Sequence, residues 1–118
     1  MIYFTSIKQS KKLLELGLDA YTADMAYSQD IDTCIPMPVQ NCAGAFPVPC
    51  WSVGALLELM PIYEIINDSD TIEIDCKGFA LETEDGETLL DLVVNMVIWL
   101  LENGYIKKSN WKSKAREV

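Results

Sequence analysis

The chain has 118 residues and a mass of 13.3 kDa, enough for one domain and too little for two ordinary ones. Half of its residues are hydrophobic, 23% are charged and 9% are aromatic, a balance that excludes an intrinsically disordered or collagen-like chain. It carries no histidine and a net charge of -9. Ser-His-Asp and Cys-His catalysis, imidazole metal sites and a histidine pH switch are therefore excluded.

Ser6 followed by Gln9 has the pattern of a capping box, which predicts a helix from about Ile7. Ile7, Leu13, Leu14 and Leu16 form a partial apolar stripe, and Gly17 is placed to adopt the left-handed conformation that ends a helix. Residues 19 to 27 carry only a weak pattern that could add a turn. From Asp30 to Pro49 the prolines at 36, 38, 47 and 49 remove backbone donors, which predicts a long loop or an edge hairpin. Its arms, IPMPV and FPVPC, mirror each other around QNCAGA and could pair loosely with one another at a sheet edge. Ser52 then caps a short helix, VGALLELM, which Pro61 ends.

Three runs, IYEII, TIEIDC and FALET, alternate apolar and polar residues and are separated by the turn formers NDSD and Lys77-Gly78. They predict a three-stranded antiparallel meander. Pairing Cys76 with Phe79 and Ile66 with Thr71 gathers the apolar side chains, except Ile62, Ile66 and Ala80, on one face. Glu64, Glu73 and Glu82 then lie side by side on the other, where like charges directly opposite are destabilising. Asp85 or Thr88 can cap a last, long helix, whose Leu89, Leu92, Val93, Met96, Val97, Leu100 and Leu101 recur at helical spacing. This helix is expected to cover the apolar face of the sheet and to end at Asn103-Gly104. The predicted fold class is thus α+β: a three-stranded antiparallel meander covered on one face by a long C-terminal helix, plus two short helices. Residues 1–106 are read as a single domain with a Pro-rich loop at 30–50, and residues 107–118 as a basic tail.

The charges are segregated. Residues 107–118 hold five cations against one acid, a net of +4, while the rest of the chain holds four lysines against seventeen acids, a net of -13. An acidic body repels nucleic acid and anionic membrane, whereas the tail could attract either of them or the body itself. The first residues lack a signal-peptide pattern, and LLDLVVNMVIWLL, thirteen residues broken by Asp91 and Asn95, falls short of the roughly 20 that a spanning helix needs. The expectation is a cytoplasmic protein with no membrane span. Cysteines at 34, 42, 50 and 76 form no CxxC pair, so neither structural zinc nor a disulfide framework is expected.

Several features could carry chemistry. The glutamate row could hold a cation, bind lysines of a partner or be neutralised by the chain's own basic tail, or it could be an ordinary solvated face. NDSD with Glu73 lacks the spacing and the glycine of a calcium loop. Cys50 precedes a helix N-terminus, which favours a thiolate, but with no histidine as base a packed, inert thiol is the expectation. Trp111 among Lys107, Lys108, Lys112 and Lys114 could stack a base between phosphate contacts, or simply belong to a frayed end. Asp24, Asp30 and Asp32 have no partner for paired acid/base work that the sequence identifies. No phosphate loop or dinucleotide pattern is present, and neither a cofactor nor a metal is expected.

Three stretches, TSIKQSKKLLELGLDAYTADM, PCWSVGALLELMP and WLLENGYIKK, cover somewhat over a third of the chain. Together they resemble a group of small uncharacterised proteins from gut bacteria of the Bacteroidales and their prophages or mobile elements. The resemblance implies a mobile-element accessory protein made in the cytoplasm, and it brings no activity and no catalytic residue.

The expected function is a non-enzymatic interaction module whose acidic surface binds a basic protein, or which self-associates through its edge strand and proline arms. DNA mimicry by the acidic body is a close variant. A nucleic-acid-binding accessory using the tail, or a small enzyme using carboxylates or Cys50, are the alternatives. The candidate partner-binding residues are Glu64, Glu73, Glu82, Lys107, Lys108 and Trp111.

Overall fold

A computed structural model of the chain describes residues 4–27, 36–38 and 48–108. Ser6 opens the first helix, α1 (Ile7–Glu15), through the predicted capping box: its side chain accepts from the Gln9 N–H, and the Gln9 side chain accepts from the Ser6 N–H. Leu13 is fully buried on the inner face of α1, with Leu14 and Leu16 partly buried. Gly17 follows with φ +100°, and the stem of Lys108 lies so close that a Cβ added there would stand 3.1 Å from it. Only glycine meets both conditions at little cost.

The stretch read as a weak turn holds a 3-10 turn (Ala20–Thr22) and a strand, β1 (Met25–Tyr27). This strand corrects the expected pairing of the proline arms. The arms supply β2 (Pro36–Pro38) and β3 (Val48–Cys50), which do not pair with each other; both pair antiparallel with β1, which lies between them. The reason is donor supply. Met25, Ala26 and Tyr27 each carry a backbone N–H and can bond on both sides, while a strand containing proline can serve only at an edge. Residues 28–35 and 39–47, which make up most of the proposed proline-rich loop, lie outside the described residues.

Ser52 caps α2 (Val53–Leu59) by accepting from the Ala55 N–H. The meander then follows as β4 (Tyr63–Asp68), β5 (Thr71–Cys76) and β6 (Phe79–Glu82), all antiparallel and in the order β4-β5-β6. The β5–β6 register is as predicted, with Cys76 opposite Phe79 and Ile74 opposite Leu81. Lys77 and Gly78 both have positive φ, as the tightest hairpin turns require.

The β4–β5 register differs from the expected one. NDSD is not a four-residue turn: Asn67 and Asp68 continue the ladder, Asp68 pairs with Thr71, and only Ser69 and Asp70 make the turn. The Asp68 carboxylate accepts from the Ser69 N–H at 2.9 Å, which stabilises this tight form. Every pair therefore slides by two positions, to Ile65 with Ile74 and Tyr63 with Cys76. A slide of two leaves each side chain on its predicted face but changes its neighbours.

Thr88, rather than Asp85, caps α3 (Leu89–Glu102), and it forms a second capping box with Asp91. The two boxes are joined, since Gln9 also donates through Nε2 to Asp91 Oδ1 at 3.0 Å. α3 packs against α2 and against β5 and β6, and Phe79 stacks on Trp99 at 4.2 Å between ring centroids. One hydrophobic cluster joins Leu13, Trp51, Leu56 and Ile74 to Leu92, Val93, Met96, Val97, Leu100 and Leu101 of α3. The result is a mixed α+β fold with three α-helices and two antiparallel sheets among the described residues. No described helix is long and apolar enough to cross a membrane.

Candidate functional site

The outer face of the β4–β6 sheet follows from strand parity. Glu64, Ile66 and Asp68 of β4, Thr71, Glu73 and Asp75 of β5, and Ala80 and Glu82 of β6 all point to the same side. The three glutamates named from the sequence are thus brought to one face, with a corrected arrangement. Glu73 lies directly opposite Glu82, but because of the two-residue slide Glu64 lies opposite Asp75, and Ile66 takes the place expected for Glu64 beside Glu73. Asp75 and Asp68 complete a patch of five carboxylates. Asp75 has the parity of Glu73 in TIEIDC, a signal that could have found it, and Asp68 has the parity of Glu64 once the turn is read at its tighter length and Asp68 joins β4.

Glu73 sits at the centre of this patch, half-buried by its neighbours on either side. Its carboxyl is held above the ordinary value, first by the charge of Asp75, then by loss of solvent, then by Glu82, by a side-chain hydrogen bond with Asp75 and by Glu64. All five causes act in the same direction. The folded state therefore holds this proton more tightly than the unfolded chain does. Glu73's contribution to stability is fully present below the ordinary glutamate pKa and is lost as the pH rises through the raised one. Glu73→Gln is expected to raise the melting temperature by a few degrees at neutral pH and to lose that advantage on acidification. Thermal melts between about pH 4 and pH 7 check this; an advantage that is constant across the range contradicts it.

The other candidates fall elsewhere. Lys107 and Lys108 are exposed, and the stem of Lys108 lies over Gly17 at the end of α1. The remaining cation of the described sheet region, Lys77, lies 5.7 Å from the centroid of the Tyr105 ring. Trp111, Lys112, Lys114 and Arg116 lie outside the described residues, as do Asp30, Asp32, Cys34 and Cys42. Cys50 is fully buried, so helix α2 begins over a packed thiol that no solute can reach. Asp24 accepts from both the backbone N–H and the hydroxyl of Ser52. It holds the start of α2, and its carboxylate is committed to that structural bond. Among the described residues no group of three histidine, cysteine, aspartate or glutamate side chains could hold a metal ion.

A groove of ≈ 520 Å³ that the sequence did not announce runs between α1 and the start of α3, beside Lys8, Lys12, Val94 and Ile98. Of its polar lining, Gln9 is paired with Asp91 and Asp91 with Thr88.

No family model matches the chain, and comparison with curated proteins and with solved structures finds no match.

Proposed function

We propose that this protein is a non-enzymatic interaction module in which α3 covers the apolar face of the β4–β6 sheet and the opposite, acidic face binds a basic patch of a partner protein. The supporting observation is the pairing of like charges. Glu73 faces Glu82 and Glu64 faces Asp75 directly across neighbouring strands, and the repulsion raises the Glu73 carboxyl. Such pairs are unfavourable in the free protein. Lysines or arginines of a partner relieve that cost on docking, and opposed fields also speed and orient the encounter.

Titration with a lysine-rich peptide at low and high salt tests this reading. The peptide is expected to bind the wild type in a salt-dependent manner. The double variant Glu73→Lys, Glu82→Lys is expected to lose at least about tenfold in affinity, corresponding to about 1.4 kcal/mol. Glu15→Lys with Glu58→Lys changes the net charge equally at exposed positions on α1 and α2 and is expected to bind as the wild type does. Equal losses in the two double variants, or binding indifferent to salt, would overturn the assignment of the site to this face.

A further inference from the structure

Among the described residues no strand pairs with β4 on the side away from β5, so the sheet that carries the acidic face has an open edge there. The Thr83 N–H donates to the Ile72 carbonyl at 2.9 Å, so the main-chain polar groups of Ile72 point toward β6. In an antiparallel sheet a residue that bonds one neighbour turns away from the other, and the pairs alternate. Ile72 and its β4 partner Asn67 are therefore a pair without ladder bonds between them, as are Ile74 with Ile65 and Cys76 with Tyr63. The N–H and C=O groups of Tyr63, Ile65 and Asn67 consequently point outward from the edge.

This edge is long, and much of it is open. β4 has six residues, of which five are exposed, Ile66 at 40% and Tyr63 at 37% among them. α3 packs against β5 and β6, and on the same side of β4 Ile65 is partly buried while Tyr63 and Asn67 are exposed. An edge of this kind is a template for another strand. A second copy of β4 is a poor occupant, because it would bring its own Glu64 and Asp68 against the same carboxylates.

The geometry points to antiparallel addition of a fourth strand at β4 by an extended partner segment that alternates basic and apolar residues. This deepens the proposed function and rests on it. Basic side chains of the segment stand across from Glu64 and Asp68 on the acidic face, next to Glu73 and Asp75 of β5. Apolar side chains stand across from Tyr63 and Ile65 on the underside. Residues directly opposite in an antiparallel ladder share a face, and Tyr63, Ile65 and Asn67 are the ones with outward backbone groups. It is therefore the amides of the apolar residues that bond to β4, while those of the basic residues point away.

That distinction supplies the test. The probe is a peptide of about six residues, a usual strand length, alternating lysine and valine, with two derivatives N-methylated either on all valine amides or on all lysine amides. Charge and side chains are the same in all three. Binding, followed by fluorescence anisotropy, is expected to fall at least about tenfold for the valine-methylated peptide and to be little changed for the lysine-methylated one. Asn67→Pro, which removes one outward donor at an exposed position, is expected to weaken the parent peptide similarly while far-ultraviolet circular dichroism stays native. Equal binding of the three peptides, or a loss confined to the lysine-methylated one, overturns strand addition at this edge. If the peptides bind equally while Glu73→Lys with Glu82→Lys still abolishes binding, strand addition fails and the acidic-face reading stands. If that double variant has no effect, the acidic-face reading fails as well.

Discussion

Trp51→Ala is expected to cost about 3–5 kcal/mol of stability, a large share of the roughly 5–15 kcal/mol typical of a domain. Trp51 is the largest of the fully buried side chains, at 0% exposure, and it lies in the cluster that joins α1, α2 and α3. Truncation leaves a cavity that the surrounding cluster fills only in part. It also removes the bond from the Trp51 indole N–H to the Thr22 hydroxyl at 2.9 Å, by which the side chain ties the 3-10 turn to the core. Urea unfolding reads the effect directly: the midpoint is expected to fall by more than about 1 M, given slopes of about 1–3 kcal/mol/M. A fall of a few tenths of that amount would mean that the site collapses around alanine and that Trp51 is not central to the packing.

Thr5→Val is the second large effect, and its origin is polar. Thr5 is fully buried, as is Ser10. The Thr5 hydroxyl lies 2.8 Å from the Ser10 hydroxyl and accepts from the Trp51 backbone N–H at 3.0 Å. The backbone of Thr5 donates to the Trp51 carbonyl at 2.9 Å, and its own carbonyl accepts from the Tyr27 hydroxyl at 2.9 Å. One residue thus joins the start of α1 to β1 and to the junction of β3 with α2. Valine matches threonine in shape but leaves the Trp51 N–H without this acceptor and deprives the Ser10 hydroxyl of its partner. At about 1–3 kcal/mol for each of the two buried polar groups left unpaired, the expected loss is about 2–6 kcal/mol. Thr5→Ser, which keeps the oxygen, is expected to lose less than half as much in the same urea experiment. Equal losses for valine and serine would shift the explanation from hydrogen bonding to the threonine methyl group.

Both residues belong to a part of the molecule that the sequence describes poorly. Ser6 with Gln9, Ser52, Thr88 and Gly17 could be read as helix boundaries because capping is decided within a few residues, and the helices begin and end close to where these side chains place them. Thr5 and Ser10, one residue before a cap and midway along a helix, look like surface positions until the chain from Trp51 is folded onto them. The proline arms are a similar case. Their unsuitability for a central strand was visible, but the strand that separates them, Met25–Tyr27, is only three residues long and has no periodicity of its own.

The acidic face shows where the division falls. Alternation in the three sheet runs determined, from the sequence alone, that Glu64, Glu73 and Glu82 share a side, because strand parity is local and survives a slide of two residues. Which carboxylates oppose one another was decided only by the tertiary structure. There the turn closes on Ser69 and Asp70, brings Asp75 rather than Glu73 across from Glu64, and turns the backbone of Tyr63, Ile65 and Asn67 toward an edge that no described strand covers. The physical reason is that a side chain's face depends on its own strand, whereas its neighbours depend on how the turn closes and on what packs beneath the sheet.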